Sequence, residues 1–204
     1  MKPLSILLTL LLLLSGCETG VVSKNPLSSP HSAMRDPRIE GLWRARDGSG
    51  YEYIAYGAHG SRGANLIVKF GKTFANDPTS DQLGWSNTMN FFVTRTKKHN
   101  YLNVNNNYDR NGTDTEPTVN EPDYKFLEYH FTSRGDLILS DFKDDPFSKA
   151  VAAGKLKGKA ILELNNYSYM YLTDSSAHIL SFTEAANPRE IFVPILKLTK
   201  IGSP

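Results

Sequence analysis

Alternation of apolar and polar residues dominates the chain beyond about residue 37. Residues 51–58 place successive side chains on two faces, and glycine-containing stretches separate this run from its neighbours. A period of two residues is typical of a β-strand that contributes one face to a core. Runs rich in aromatic and β-branched residues predict further strands at 41–45, 64–72, 89–99, 101–105, 124–132, 136–142, 167–172 and 191–201.

Two segments near the C-terminus follow a helical pattern instead. Asp144 and Pro146 suit the first turn of a helix that stops at Gly154, and a second helix is expected over 174–186, before Pro188. The chain therefore predicts a mainly β (α+β) fold of about eight to ten strands with two short helices near the C-terminus. Such a domain is an antiparallel barrel or a curved sandwich, and the pattern does not separate the two.

The first residues have the pattern of a secretory signal. Lys2 precedes an apolar run over residues 4–14, and small residues follow that run. The run is much shorter than the roughly 20 residues that a membrane-spanning helix needs. Residues 1–16 are therefore expected to be a signal peptide that is removed from the mature protein.

The end of this leader, Leu14-Ser15-Gly16-Cys17, resembles the lipobox of bacterial lipoproteins. In that family the chain is cleaved before the cysteine, here between Gly16 and Cys17, and the cysteine carries lipid such as palmitate. The resemblance implies an anchor in the bacterial cell envelope with the domain facing the periplasm, and Glu18 favours the outer membrane. Cys17 is the only cysteine in the chain, so no intramolecular disulfide can form.

Composition divides the remaining chain into two parts. Residues 17–36 are polar, with prolines and serines and no apolar period, and predict a flexible tether that reaches roughly 60 Å when extended. Residues 37–204 are expected to form one β-rich domain. Lys and Arg total 23 against 21 Asp and Glu, so the chain lacks the basic field of a nucleic-acid binder. The expected partners are the membrane, through the lipid, and a small apolar ligand or an envelope protein.

Gly41 and Trp43 begin the first strand of the predicted domain in a G-x-W pattern, which resembles lipocalins and lipocalin-like barrels. In that family the tryptophan plugs the closed end of an eight-stranded barrel, and the open end holds an apolar ligand. The resemblance makes Trp43 the candidate plug. Tyr167, Tyr169 and Tyr171 share one face of a strand and are candidates for the interior or its rim. Filling an ordinary core is the alternative for all four aromatic residues.

Oxygen-bearing side chains at Asn107, Asp109 and Asn111 have the spacing of the first ligands of a calcium loop, and Gly112 follows them. The last position of an EF-hand loop requires a bidentate Glu, and here it is Thr118. Asn, Asp and Gly also favour turns without any metal. A polar loop is therefore the favoured interpretation, and no metal or cofactor is expected.

Two polar clusters lie on predicted strands. Glu128 and His130 share one face, and a carboxylate beside an imidazole suits acid–base chemistry, to which His99 contributes only if the fold brings it there. A solvated polar face is the alternative. The basic residues within 95–99 suit anionic lipid, although lysines on a strand more often protect an exposed sheet edge.

No motif of nucleophilic, zinc-protease or nucleotide chemistry appears elsewhere in the sequence. The sequence favours a non-catalytic, lipid-anchored envelope lipoprotein whose domain binds a small apolar ligand or a protein partner. One alternative is a protein-interaction lipoprotein without a ligand cavity, such as an inhibitor, an immunity factor or an assembly scaffold. The other is an enzyme whose site lies around Glu128, His130 or His99.

Overall fold

The computed structural model describes residues 20–47, 50–59, 65–74, 84–105, 123–162 and 168–202, and within 46–90 it describes the backbone. The strands in these residues are β1 (Gly20–Ser23), β2 (Gly41–Asp47), β3 (Gly50–His59), β4 (Asn65–Phe74), β5 (Gly84–Arg95), β6 (Asn100–Asn105), β7 (Tyr124–Phe131), β8 (Leu137–Phe142), β9 (Gly158–Leu162), β10 (Ser168–Leu172) and β11 (Phe192–Gly202). The helices are α1 (Asp144–Ala152), α2 (Ser176–Ala185) and α3 (Pro188–Ile191). The predicted mainly β fold with short helices near the C-terminus is confirmed. None of the described helices is long and apolar enough to cross a membrane.

Eight strands follow one another around a ring of antiparallel pairs. Each strand from β2 to β7 pairs with the strand that follows it in sequence. β11 then pairs with β8 on one side and with β2 on the other. Every strand of this set therefore has two antiparallel neighbours within the set, and we call the set the ring. β2 to β8 follow one another along the chain, and strands that are consecutive in sequence usually lie next to each other in a sheet.

Three further strands extend the sheet on the outside of the ring. β1 pairs antiparallel with β7 and parallel with β10, and β10 pairs antiparallel with β9. We call β1, β10 and β9 the extension. The sheet as a whole is therefore mixed, and it is open at β9, which has a single neighbour among the described strands.

Alternating side chains on β5 to β8 build two cores, one on each face. The inner core is made of buried residues from the strands of the ring: Trp43, Ala45, Phe91, Val93, Leu102, Val104, Tyr129, Leu137, Leu139 and Leu198, with Ile39 from the preceding segment. Trp43 on β2 approaches Phe131 on β7 with ring centroids 6.2 Å apart, although β2 and β7 are not neighbours, so this contact crosses the interior. The outer core lies under the extension and the helices, and includes Val21, Leu27, Tyr101, Phe126, Phe142, Phe147, Leu172 and Ile191.

The expected flexible tether over 17–36 is wrong for residues 20–36. β1 is paired on both sides, and the side chains of Val21 and Leu27 are buried in the outer core. The backbone N–H of Leu27 also donates to Asn103 Oδ1 at 2.7 Å. Single apolar side chains that fit a gap in a core are enough to fix a segment that has no apolar period. Cys17 and the rest of the predicted lipobox lie outside the described residues.

Candidate functional site

One end of the ring is covered by the segment 33–40, and we call it the sealed end. It is the end at which the β5–β6 and β7–β8 turns lie. Ile39 packs in the inner core, and Arg38 lies over the ring of Phe131 with its guanidinium carbon 5.0 Å from the centroid. Asp36, in the same segment, is 1% exposed. Because Asp36 and Ile39 are each 1% exposed, the segment covers this end of the ring.

Asp36 is the centre of the hydrogen bonds at the sealed end. Its Oδ2 accepts from Arg95 Nη2 at 2.6 Å, from Tyr129 Oη at 2.9 Å and from Arg38 Nη2 at 2.6 Å. Burial opposes ionisation of this carboxyl, yet the hydrogen bonds from Arg38 and Tyr129 hold the pKa of Asp36 below its usual range. Burial, and then the charge of Asp36, raise the pKa of Tyr129. An ionised carboxylate with several donors therefore fastens the segment to β5 and β7.

Trp43 lies at the same end, 1% exposed in the inner core. Its indole Nε1 donates to the backbone oxygen of Ile39 at 2.8 Å, which satisfies the polar atom of this buried side chain. Lys200 on β11 places its ammonium 5.5 Å from the indole centroid, within the range of a cation–π contact. The residue singled out by the G-x-W pattern thus packs where the covering segment meets the ring.

The opposite end, which we call the open end, exposes the inner face to solvent. Lys125 and Asp141 alternate in phase with the inner-core residues of β7 and β8, and their charged atoms are 2.8 Å apart. Their side chains are 36% and 15% exposed. Val193, which is opposite Asp141 in the β8–β11 register, is 40% exposed. Leu139, the next inner-face position on β8 away from the open end, is buried, and so is Val104 on β6, which lies opposite Lys125. The exposed inner-face side chains at this end are therefore those of β7, β8 and β11.

The tyrosines that were expected at the interior or rim lie elsewhere. Tyr169 and Tyr171 are on β10, which belongs to the extension and not to the ring. Tyr171 Oη donates to Asp123 Oδ1 at 2.9 Å, and the opposite face of β10 fills the outer core with Met170 and Leu172. The expectation that these tyrosines line the ring is therefore wrong, because the parallel pairing with β1 takes their strand outside it. Tyr167 lies outside the described residues.

The fold does bring His99 to Glu128 and His130. His99 Nδ1 is 3.6 Å from Glu128 Oε1, and His130 Nδ1 is 3.2 Å from Glu128 Oε2. The carboxylate is nearly buried, whereas His130 is exposed, and the imidazole of His99 packs edge-on against Phe192. The cluster lies on the outer face, away from the inner core. No group of three or more His, Cys, Asp or Glu side chains in the described parts of the chain is placed to hold a metal ion.

The basic residues of 95–99 lie in and beside the turn between β5 and β6. Arg95 is committed to Asp36, and Lys98 Nζ donates to the backbone oxygen of Glu184 at 2.8 Å. Lys97 and Lys98 are exposed. β5 and β6 each have neighbours on both sides, so these side chains do not protect a sheet edge. The predicted calcium loop at Asn107, Asp109 and Asn111 lies outside the described residues.

Sequence reasoning missed the charged residues that distinguish the two ends. Asp36 fell within the predicted tether, where a single acidic residue carries no signal. Lys125 and Asp141 did carry one, because each stands in phase with the apolar residues of its strand, where a charge is unexpected. Comparison with protein-family models, curated proteins and solved structures finds no match to this chain.

Proposed function

We propose that this chain is a non-catalytic lipoprotein of the bacterial cell envelope, anchored by lipid on Cys17, whose ring binds a small apolar ligand. The lipobox resemblance supports the anchor and the periplasm-facing location. Glu18 favours the outer membrane as the site of that anchor. The ring supports the binding role, since an eight-stranded ring has an interior of the size that side chains fill or that one small ligand occupies.

The observation that carries the binding role is the unequal exposure of the inner face. At the sealed end a buried carboxylate and a buried indole close the interior. At the open end a lysine and an aspartate, Lys125 and Asp141, reach solvent from the same face, and Val193 exposes an apolar side chain beside them. A ligand that enters here meets polar groups first and apolar groups deeper, as in most small-molecule sites.

The ligand chemistry follows from these residues. The buried part of a ligand would contact aliphatic and aromatic carbon, which favours hydrocarbon over a sugar or a peptide. The Lys125–Asp141 pair at the entrance suits a polar head that accepts from the ammonium or donates to the carboxylate. A small amphiphile with an apolar body therefore fits better than a fully polar metabolite.

Mass spectrometry of the purified, acylated protein tests this proposal. Organic extraction is expected to release a small apolar molecule in an amount close to that of the protein. Val193→Trp, which narrows the open end, should lower the recovered amount several-fold. Thr199→Trp, an exposed outward position on the same strand, is the matched control and should leave it unchanged. Recovery of no small molecule from the unmodified protein would overturn the binding role.

A protein-interaction lipoprotein is the second candidate function. β9 pairs with β10 alone among the described strands, so its other edge is available to a strand of a partner. An envelope protein that co-purifies in equal amount, with no extractable small molecule, would favour this candidate over ligand binding.

The lipid anchor is tested in the same way under either candidate. Radiolabelled palmitate is expected on the unmodified chain and is expected to be absent from Cys17→Ser. Absence of palmitate from both proteins would overturn the anchor.

A further inference from the structure

We propose that the sealed end of the ring, with the adjoining end of the extension, docks against the bilayer that holds the lipid of Cys17, through anionic lipid head groups. The proposal rests on the acylation proposed above and adds the surface that meets the membrane. It is carried by the number of residues between Cys17 and the fold, by the direction of β1, and by the side chains exposed at that end.

The connection between anchor and fold is short. Glu18 and Thr19 alone separate Cys17 from Gly20, where β1 begins. Three residue steps span at most about 11 Å, against the roughly 60 Å of the tether that composition predicted. Because Val21 is buried and β1 is paired on both sides, lengthening this connection requires breaking the outer core. A lipid on Cys17 therefore holds the domain against the membrane surface.

The direction of β1 selects which part of the domain meets that surface. β7 runs from the open end to the sealed end and finishes at Phe131. β1 is antiparallel to it, with Val22 opposite Lys125, so the chain before Gly20 is directed toward the sealed end. From the level of Gly20, about four residues of β7 remain, or roughly 13 Å. That length is close to the reach of the connection, so the lipid attaches near the sealed end.

Among the described residues, the charged side chains that are most exposed at this end are basic. Lys97 and Lys98 lie in the turn between β5 and β6, Arg134 lies in the turn between β7 and β8, and Arg38 is half exposed in the covering segment. Of the acidic side chains near them, Asp36 is buried beneath Arg38 and Arg95, Glu184 accepts from Thr96 Oγ1 at 2.9 Å, and Asp136 is paired with Lys197 at 2.9 Å. Basic side chains on several separate turns at one end of a domain complement an anionic surface.

Exposed apolar side chains are found at the same end. Of the five large apolar side chains exposed in the described parts of the chain, three are Met34, Leu162 and Ile201, at 49%, 76% and 42%. Met34 bridges to Val93 near the end of β5, and Ile201 lies near the end of β11. Leu162 ends β9 at the side of the extension where β1 begins. Apolar side chains among basic ones are the composition of surfaces that lie at a lipid interface.

Site-specific fluorescence quenching tests the orientation. Acylated Cys17 has no free thiol, so one introduced cysteine takes the probe. Ser133→Cys places it in the β7–β8 turn at the sealed end, and Ser148→Cys, the matched control, places it on α1, which follows the open end of β8. The full acylated protein is reconstituted in vesicles of phosphatidylethanolamine and phosphatidylglycerol that contain a head-group nitroxide lipid. Quenching at residue 133 is expected to exceed quenching at residue 148 several-fold.

Charge reversal separates docking from mere tethering. The pair Lys97→Glu and Arg134→Glu should remove most of the difference in quenching, and the control pair Lys149→Glu and Lys155→Glu on the α1 side should preserve it. Equal quenching at both probe positions, on protein that carries radiolabelled palmitate, would overturn the docking surface and leave the anchor standing. Protein without palmitate would overturn the anchor, and the docking surface with it.

Discussion

The two ends of the ring use charged residues on one inner face in opposite ways. At the sealed end Asp36 is withdrawn from water and is bonded to Arg38, Arg95 and Tyr129. At the open end Lys125 and Asp141 pair with each other and remain in contact with solvent. A buried, fully bonded carboxylate fixes a segment across an opening, whereas an exposed pair contributes little to stability and leaves the opening accessible. The residues that stabilise the ring and the residues that leave its interior accessible to solvent thus lie at different ends.

Trp43→Ala is the largest test of this contrast. The substitution removes a buried indole, its hydrogen bond to Ile39 and its contact with Lys200. We expect the free energy of unfolding to fall by about 3–5 kcal/mol. Val193→Ala at the open end removes exposed carbon and should cost under about 0.5 kcal/mol. Urea denaturation of both variants measures the difference, and similar losses would remove the distinction between the ends.

Asp36→Ala tests the charged part of the same contrast. It leaves Tyr129 and two guanidinium groups without their acceptor, and because those guanidiniums are partly exposed we expect a loss of about 2–4 kcal/mol. Asp141→Ala, the matched change at the open end, should cost about 1 kcal/mol or less. Equilibrium unfolding at neutral pH compares the two. A larger loss for Asp141→Ala would mean that the open end, and not the covering segment, stabilises the ring.

The sequence predicted the class of fold, but it did not predict how the two ends of the ring differ. The alternation of apolar and polar residues predicted most of the strands that build both cores. Residues that begin and end helices predicted α1 and α2. The sequence did not predict that residues 33–40 cover one end of the ring, because these residues have no apolar period. Their role depends on the contact of Asp36 with Arg95, which is 59 positions away. The position of β10 outside the ring was not predicted for a similar reason. A parallel pair between β1 and β10 is a long-range choice that leaves no local pattern.

Lowering the pH should weaken the sealed end. Because the pKa of Asp36 is below that of an unfolded carboxyl, about 3.9, its ionised form favours the folded state. This contribution is complete above that value and is lost as the pH falls toward the folded pKa. The pKa values of Glu40 and Asp174 are also lowered, so the ionised forms of these two carboxyls also favour the folded state. Asp36→Asn isolates one carboxyl: its stability deficit should shrink between pH 5 and pH 2, and a constant deficit would contradict the assignment.

Glu128→Gln should produce the smallest effect, because its cluster with His99 and His130 lies on the outer face of the ring, away from the inner core. The amide preserves the shape of the side chain and can still bond an imidazole, so we expect a stability loss of about 1 kcal/mol or less and unchanged recovery of the ligand. His130→Ala, at an exposed position, is the companion variant. If both variants kept the fold but lost an envelope phenotype that Val193→Trp retains, the outer cluster would be the functional site. The acid–base alternative would then replace ligand binding, because the convergence of two imidazoles on one carboxylate would have a use that the ring does not explain.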